Sequence, residues 1–557
     1  LLTAKPYTVK TWIHAHRFSL CIAGLIFLYG LSVLWHLGYL GLRVEEARRA
    51  IVALEMMESG NYIQPHTLGW VYYNKPPVFN WILTGFFSVT GDDSPFILRL
   101  PSFISILLLG LVHYLVARKF LSQRVALLSS LFTITAGDLY FYTLSNGGEI
   151  DVFYSLVVYL QVISIFYFYE RGSNFRLFLF SWALCAIGFL TKGFTSPVFQ
   201  VLTLAALCIY ARSWKPLFTL GHLAGVILFF GIIGAYFLLY KREGDPVLFL
   251  MTLLNESLNK SAVGDESDGR LFIRLFRYPV LLLRVLAPWC FLALLFFKKP
   301  GPSVWQNPFL RFSTLFILLN IGVYWFTGAQ KTRYVIMFIP FMMTLISYMF
   351  VYWENKNSIL TQRYLRVAGI LFLAVIPALL SLPLFTDIPW WKAVMSAAVM
   401  AVFLYCFNRI SSQRIWFCVL GIILIRMAYA WIGIPLKAAG ETDYRGLAKR
   451  FSAVNNNQRL DYLAETDTLK LAFYPEKILG KPVHTELVPW FLRYQVPYYV
   501  YRNTHSLPKL DTAMKPGKTY ISFMSGPDSG KVMVLDYFYD RQFNHYVVLC
   551  RQKDESE

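Results

Sequence analysis

The chain has 557 residues, of which 56% are hydrophobic, 17% aromatic and only 15% charged. That composition excludes an ordinary soluble globular protein, because apolar runs of about 18–20 residues recur along it and read as membrane-spanning helices. The formal net charge of +20 does not imply a nucleic acid partner: no DNA- or RNA-binding motif accompanies it, and short cytoplasmic loops of membrane proteins collect Lys and Arg.

The expected spans are 18–38, 99–117, 125–143, 151–169, 175–190, 195–211, 219–240, 279–297, 312–327, 334–353, 365–385, 389–408 and 414–435. That is about thirteen crossings. Lys5, Lys10 and Arg17 precede the first run, which has no small-residue cleavage site and is long enough to span, so a retained helix is expected. With the N-terminus inside, the inner loops hold Arg118, Lys119 and Arg124; Arg171 and Arg176; Arg212 and Lys215; Lys298, Lys299 and Arg311; Lys356, Arg363 and Arg366; and Arg409 and Arg414. Only Glu170 and Glu354 interrupt that basic pattern. An odd number of crossings puts the C-terminus outside.

Two outer segments are long and mixed in charge, 39–98 and about 241–278. In the first, "VEEARRAIVALEMMESG" spaces Val44, Ala47, Ile51, Leu54 and Met57 three and four apart. The spacing predicts an amphipathic helix on the membrane surface, ended by Gly60 and Asn61. "VYYNKPPVFNW" follows, with Lys75 among Tyr72, Tyr73 and Trp81. That aromatic cluster suits sugar faces or a lipid head group, and equally an interfacial aromatic belt.

Residues 1–435 are read as an all-α polytopic membrane domain and 436–557 as a small α/β domain outside the membrane. In the latter, "LKLAFY", "KTYISFMSG", "KVMVLDYFYD" and "HYVVLC" are strand-like, and "RGLAKRFSAVNN" is helical. "GPDSGK" lacks the spacing of a phosphate-binding loop. Six of seven Cys lie in or beside apolar runs, Cys550 stands alone, and no CxxC occurs, so no disulfide framework is expected. The nine His show no metal-ligand spacing.

Ionisable residues collect at the outer helix ends: Glu45 and Glu46, Lys75, Asp151, Lys192, Glu256 and Lys260, then Lys331, Arg333 and Tyr334. Charge at a membrane boundary is costly and marks function. Acids interleaved with cations on one side suit transfer from a phosphate-linked donor: cations stabilise the departing phosphate, and a carboxylate takes a proton from an acceptor hydroxyl.

Four stretches resemble the GT-C superfamily of membrane glycosyltransferases, in its aminoarabinose transferase and protein O-mannosyltransferase branch. "RVEEARRAIVALEMMESGNYIQP" is similar to the family's first-loop motif, "YYNKPPVFNW" to its Lys-Pro-Pro motif, "FLTKG" to a Leu-Thr-Lys-Gly stretch, and "QKTRYVIMFIP" to a segment preceding a Pro. The resemblance implies an inverting transferase in the bacterial inner membrane using a polyprenyl phosphate sugar, typically on undecaprenyl phosphate. It implies catalytic carboxylates at Glu45 and Asp151, with Glu46 the second acid of the motif. It implies donor-phosphate contacts at Lys75, Lys331, Arg333 and Tyr334, to which Lys192 and Lys260 add charge. Tyr72, Tyr73, Trp81 and Glu256 are expected to line the substrate site. The acceptor is a lipid A-like glycolipid, another envelope glycan, or a protein. A transporter of lipid-linked sugar is the competing reading, with Arg284 and Arg426 as its candidate intramembrane charges.

This sequence departs from the pattern at three places. Glu45 stands where the family has Asp, Asn74 stands where it has Glu, and Glu256-Ser257 replaces a Glu-His pair. The last two remove likely metal ligands, so no tight structural zinc is expected, while a divalent cation stays compatible with the site.

Overall fold

The computed structural model describes residues 9–144, 147–261, 269–298, 301–325, 330–410, 413–463, 494–511, 514–515, 517–524, 532–540 and 545–552. Among them, nine helices are long and apolar enough to cross a membrane: Pro95–Ala117, Ile150–Glu170, Asn174–Lys192, Leu220–Tyr240, Pro308–Trp325, Thr332–Asn355, Ile359–Phe385, Trp390–Arg409 and Arg414–Ala439. Each overlaps one of the expected spans.

The four other expected spans differ in instructive ways. The first and sixth are the shorter apolar helices Phe18–Leu34 and Thr195–Ala211. The segment 125–143 is not one helix. Gln123–Ile134 ends at Thr135, and the backbone resumes as a π-helix over Asp138–Thr143. Between them the Gly137 N–H donates to the Ala287 carbonyl at 2.7 Å. A Cβ at Gly137 would sit 2.8 Å from that oxygen, so only glycine permits the approach. The segment 279–297 bends by 116° between Leu275–Leu286 and Trp289–Phe297. Pro288 lies at the bend, where it cannot donate to a helical ladder.

The described parts of the segments 39–98 and 241–278 contain helices. Val44–Ser59 is helical as the spacing predicts and stops at Gly60, whose φ of 70° is left-handed. It does not lie on lipid, however. Glu46, Ala47 and Arg49 to Met56 are buried, because its apolar face is covered by the helix Val78–Thr90 on one side and by the C-terminal helix Gln495–Thr504 on the other. Val78–Thr90 begins directly after Pro76 and Pro77, whose fixed φ suits a helix start. The second outer segment contains the helix Pro246–Ser261.

Among the described residues, the C-terminal part carries a mixed sheet of five strands in the order Leu510–Asp511, Asp461–Leu463, Thr519–Met524, His545–Gln552, Val532–Asp540. The first three are parallel and the last two join antiparallel. The helices Tyr444–Val454 and Gln495–Thr504 pack on one another. The expected strand "LKLAFY" and the "GPDSGK" turn lie outside the described residues. The outer loop and this sheet form one apolar cluster, with Ala50, Ile51, Phe79 and Leu83 meeting Leu447, Tyr498, Val547 and Leu549. Backbone bonds stitch the seam: Leu510 N–H donates to the Leu68 carbonyl at 2.9 Å, and the Trp70 indole donates to the Leu510 carbonyl at 3.1 Å.

Candidate active site

The two adjacent acids of the first outer helix have opposite environments. Glu46 points inward and its side chain is fully buried against Arg99. Arg99 Nε and Nη2 grip its two oxygens at 2.8 and 3.0 Å. The Gly148 N–H donates to Oε1 at 2.5 Å and the Arg43 N–H to Oε2 at 2.9 Å. Arg99 spends its remaining N–H groups on the carbonyls of Leu37, Leu40 and Gly41. Glu46 is therefore a tie between the first loop, the helix Pro95–Ala117 and the turn before Ile150.

Glu45 points outward and its side chain is half exposed. Arg48 Nη2 donates to its Oε1 at 2.6 Å. Burial of the carboxyl raises its pKa, but Arg48, Arg49, Arg333 and Lys75 outweigh that and hold it below the usual glutamate value. It is an ionised carboxylate with an open face.

Around it the structure assembles the cations. Lys75 forms a forked contact with Glu256, 2.8 Å to each oxygen, and donates to the Asn74 carbonyl at 2.9 Å. Arg333 spans two acids, with Nη1 3.0 Å from Glu149 and Nε 3.0 Å from Asp151. Lys192 pairs with Asp151 as well. Its ammonium lies over the rings of Tyr334, Tyr154 and Tyr324, at 4.2, 5.0 and 5.9 Å from their centroids. Asp151 is only 4% exposed and engaged by both cations. Burial raises the pKa of Glu149 above the usual glutamate value, against the pull of Arg333 and with the push of Asp151.

Lys331 is exposed and caps the helical turn Thr332–Phe338. The side chain of Lys260 lies outside the described residues. Tyr72 sits under Arg49, 5.4 Å from its guanidinium. Tyr73 and Trp81 pack against Phe249 and Tyr236, and the Trp81 indole donates to the Tyr62 carbonyl. Arg284 pairs with Asp138 at 2.9 Å, and Arg426 Nε donates to the Tyr140 carbonyl at 3.1 Å.

Sequence reasoning singled out neither Arg48, Arg49 nor Glu149. Arg49 is 3% exposed, and its Nη1 meets no hydrogen-bond acceptor among the described residues. The signal was the Arg-Arg pair one turn after Glu45 in "VEEARRA".

The Glu256-Ser257 pair is already engaged within the protein. Both Glu256 oxygens face Lys75, and the Ser257 hydroxyl donates to the Leu253 carbonyl at 2.8 Å. No group of three or more His, Cys, Asp or Glu poised for a metal occurs among the described residues.

Residues 74–235 match the dolichyl-phosphate-mannose-protein mannosyltransferase family. The fold is similar to crystal structures of ArnT from Cupriavidus metallidurans, one of them bound to undecaprenyl phosphate. That one aligns with a TM-score of 0.65 at 16% identity over 97% of this chain and 98% of that one. The chain shares the fold of those proteins. Among curated relatives, the undecaprenyl phosphate-alpha-4-amino-4-deoxy-L-arabinose arabinosyl transferase of Pseudomonas paraeruginosa is 27% identical over 321 residues, 56% of each chain. A second such transferase, from Proteus mirabilis, is 25% identical over 376 residues, 64% of this chain and 65% of its own. The chain spans about half the length of the first of these relatives. The Glu45 helix and the Lys75 motif lie within residues 39–98, and Asp151, Lys192 and Arg333 sit at helix ends.

Proposed function

We propose that this chain is an inverting glycosyltransferase of the bacterial inner membrane. It moves a sugar from a polyprenyl phosphate, undecaprenyl phosphate being the donor lipid in its relatives' names, to an acceptor outside the cytoplasm. The observation that carries this reading is the half-exposed Glu45 carboxylate, held ionised beside Lys75 and Arg333. An acceptor hydroxyl attacks the anomeric carbon on the face opposite the phosphate. The bond from that carbon to the phosphate oxygen breaks, and its electron pair leaves with the phosphate. Glu45 takes the hydroxyl proton. Lys75, Arg333 and Lys192 stabilise the charge on the departing phosphate. Asp151 holds Lys192 and Arg333 in place, and Glu46 fixes the helix that presents Glu45. The acceptor is an envelope glycolipid such as lipid A or another surface glycan.

The test is turnover by purified protein with an undecaprenyl-phosphate-linked sugar. Glu45→Gln keeps the size and removes the charge, so turnover falls by about 10²–10⁴-fold while donor binding persists. Full turnover in Glu45→Gln together with none in Asp151→Asn transfers the role of base to Asp151. Absence of transfer by the wild type to any envelope glycolipid, glycan or protein sinks the reading.

A further inference from the structure

Arg48 is a long, flexible side chain on a partly exposed helix turn, and ordering it against Glu45 costs rotamer entropy. An ion pair three residues apart on a helix is worth only a few tenths of a kcal/mol. Something else must hold the pair if Glu45 is to keep one position. The structure supplies it from nearly 450 residues away. The ring of Tyr494, 3% exposed, faces the Arg48 guanidinium at 5.2 Å. The same guanidinium donates to Glu45 at 2.6 Å.

Tyr494 is itself anchored. It is the N-terminal cap of the helix Gln495–Thr504. That helix is fastened to the outer segment at several points. Tyr499 accepts from the Leu42 N–H at 3.2 Å, Tyr498 donates to the Asp93 carbonyl at 2.6 Å, and Arg502 Nε lies 3.3 Å from Asp93. We infer that Tyr494 is a positioning residue for Glu45, acting through Arg48, so that the C-terminal domain completes the active site rather than merely covering it. This rests on the reading of Glu45 as the base.

Stacking a guanidinium on a buried ring restricts it to the plane from which its fork reaches the carboxylate. Losing the ring frees Arg48 to turn away. The groups that set the Glu45 charge are then Arg49 on its own helix, Lys75 from the following loop and Arg333 from the facing helix start. They leave the carboxylate ionised at neutral pH but protonating at a higher pH than before.

The experiment uses the full chain in nanodiscs, with carbodiimide labelling of Glu45 read by peptide mass spectrometry across pH, alongside turnover. In Tyr494→Ala the labelling midpoint rises towards the ordinary glutamate value, and kcat falls roughly two- to thirtyfold, the range set by a cation–π contact, with donor KM unchanged. Tyr494→Phe keeps the ring face and leaves both readouts at wild type. Arg48→Lys keeps the charge but loses the fork, and reproduces the Tyr494→Ala effect without touching the C-terminal domain. The inference is overturned if Tyr494→Ala, folded and inserted, leaves both readouts unchanged, or if Tyr494→Phe is as damaging as Tyr494→Ala. A wild type without sugar transfer that still shows the labelling shift supports the positioning and removes only the glycosyltransfer reading.

Discussion

Arg99 and Glu46 form a fully buried ion pair in which both carboxylate oxygens and every guanidinium nitrogen have partners. Pairing of that completeness is what makes burial of two charges tolerable. Removing one partner strands the other, so Arg99→Met is expected to cost about 3–5 kcal/mol. Glu46→Gln is expected to cost less, because the amide still accepts from Gly148 or Arg43. Unfolding midpoints in detergent check the order; equal losses would mean that packing and not charge governs the site. Lys75 raises a different question, since its ammonium already holds Glu256. A donor phosphate has to displace or share that contact. Lys75→Ala should weaken donor binding roughly ten- to a hundredfold, the worth of one charge-assisted hydrogen bond. Glu256→Gln should tighten it by roughly two- to fivefold, the worth of a partly exposed pair. Binding isotherms with the lipid donor measure both, and unchanged affinity in Lys75→Ala would reduce that lysine to an interfacial anchor.

At the scale of elements, the Val44–Ser59 helix was legible because its apolar residues keep helical spacing and a glycine ends it. Which surfaces cover that face was not legible, because one is the short helix Val78–Thr90 and the other is Gln495–Thr504, remote in sequence and fixed only by tertiary packing. Val78–Thr90 was hidden for another reason: at 13 residues it is too short to span, so span length says nothing of it. Lys75, Asp151, Lys192 and Arg333 stood out as charges against apolar runs. Arg48, Glu149 and Arg99 did not, because at the ends of expected helices and spans such charges look like ordinary solvated ones. Glu55, on the same outer helix, gives the element a pH dependence. Burial lifts its pKa from 4.5 to about 8, against hydrogen bonds from the Gly69 and Leu68 backbone. Gly69 N–H donates to its Oε1 at 3.0 Å and so ties the helix to the 66–71 hairpin. A carboxyl whose folded pKa exceeds its unfolded one binds more protons when folded between those two values. Its contribution is complete below about pH 4.5 and declines as pH rises towards about 8. Hydrogen exchange at the Gly69 amide should therefore show protection falling over that window beyond the intrinsic pH effect. Glu55→Gln, which keeps the acceptor and cannot ionise, should flatten it.

At the scale of the whole molecule, charge divides the protein into two ends. The helix Ile150–Glu170 begins at Asp151 in the candidate site and ends at Glu170, about 30 Å away at 1.5 Å per residue. Asn174–Lys192 returns, bringing Lys192 back to Asp151. The far end is the basic one, and there the two acids that interrupt its pattern are engaged locally. Arg124 donates to Glu354 at 2.9 Å, and the Tyr210 hydroxyl donates to Glu170 at 2.7 Å. With both acids engaged, the Lys and Arg of that end set the orientation we propose, in which the basic end is cytoplasmic and the candidate site is outside. Lys437 lies in the last turn of the last span, and Glu441 and the helix Tyr444–Val454 follow it on the site's side of the molecule. A reporter fused after residue 440 should accordingly give an extracytoplasmic signal. Ser173→Cys, in the turn between the two helices, should react with a membrane-impermeant thiol reagent only after the cells are permeabilised. A cytoplasmic signal at residue 440 with ready labelling at residue 173 in intact cells would invert the molecule. It would put Glu45 and its cations on the side opposite the envelope acceptors, and the proposed reaction would fall with the orientation.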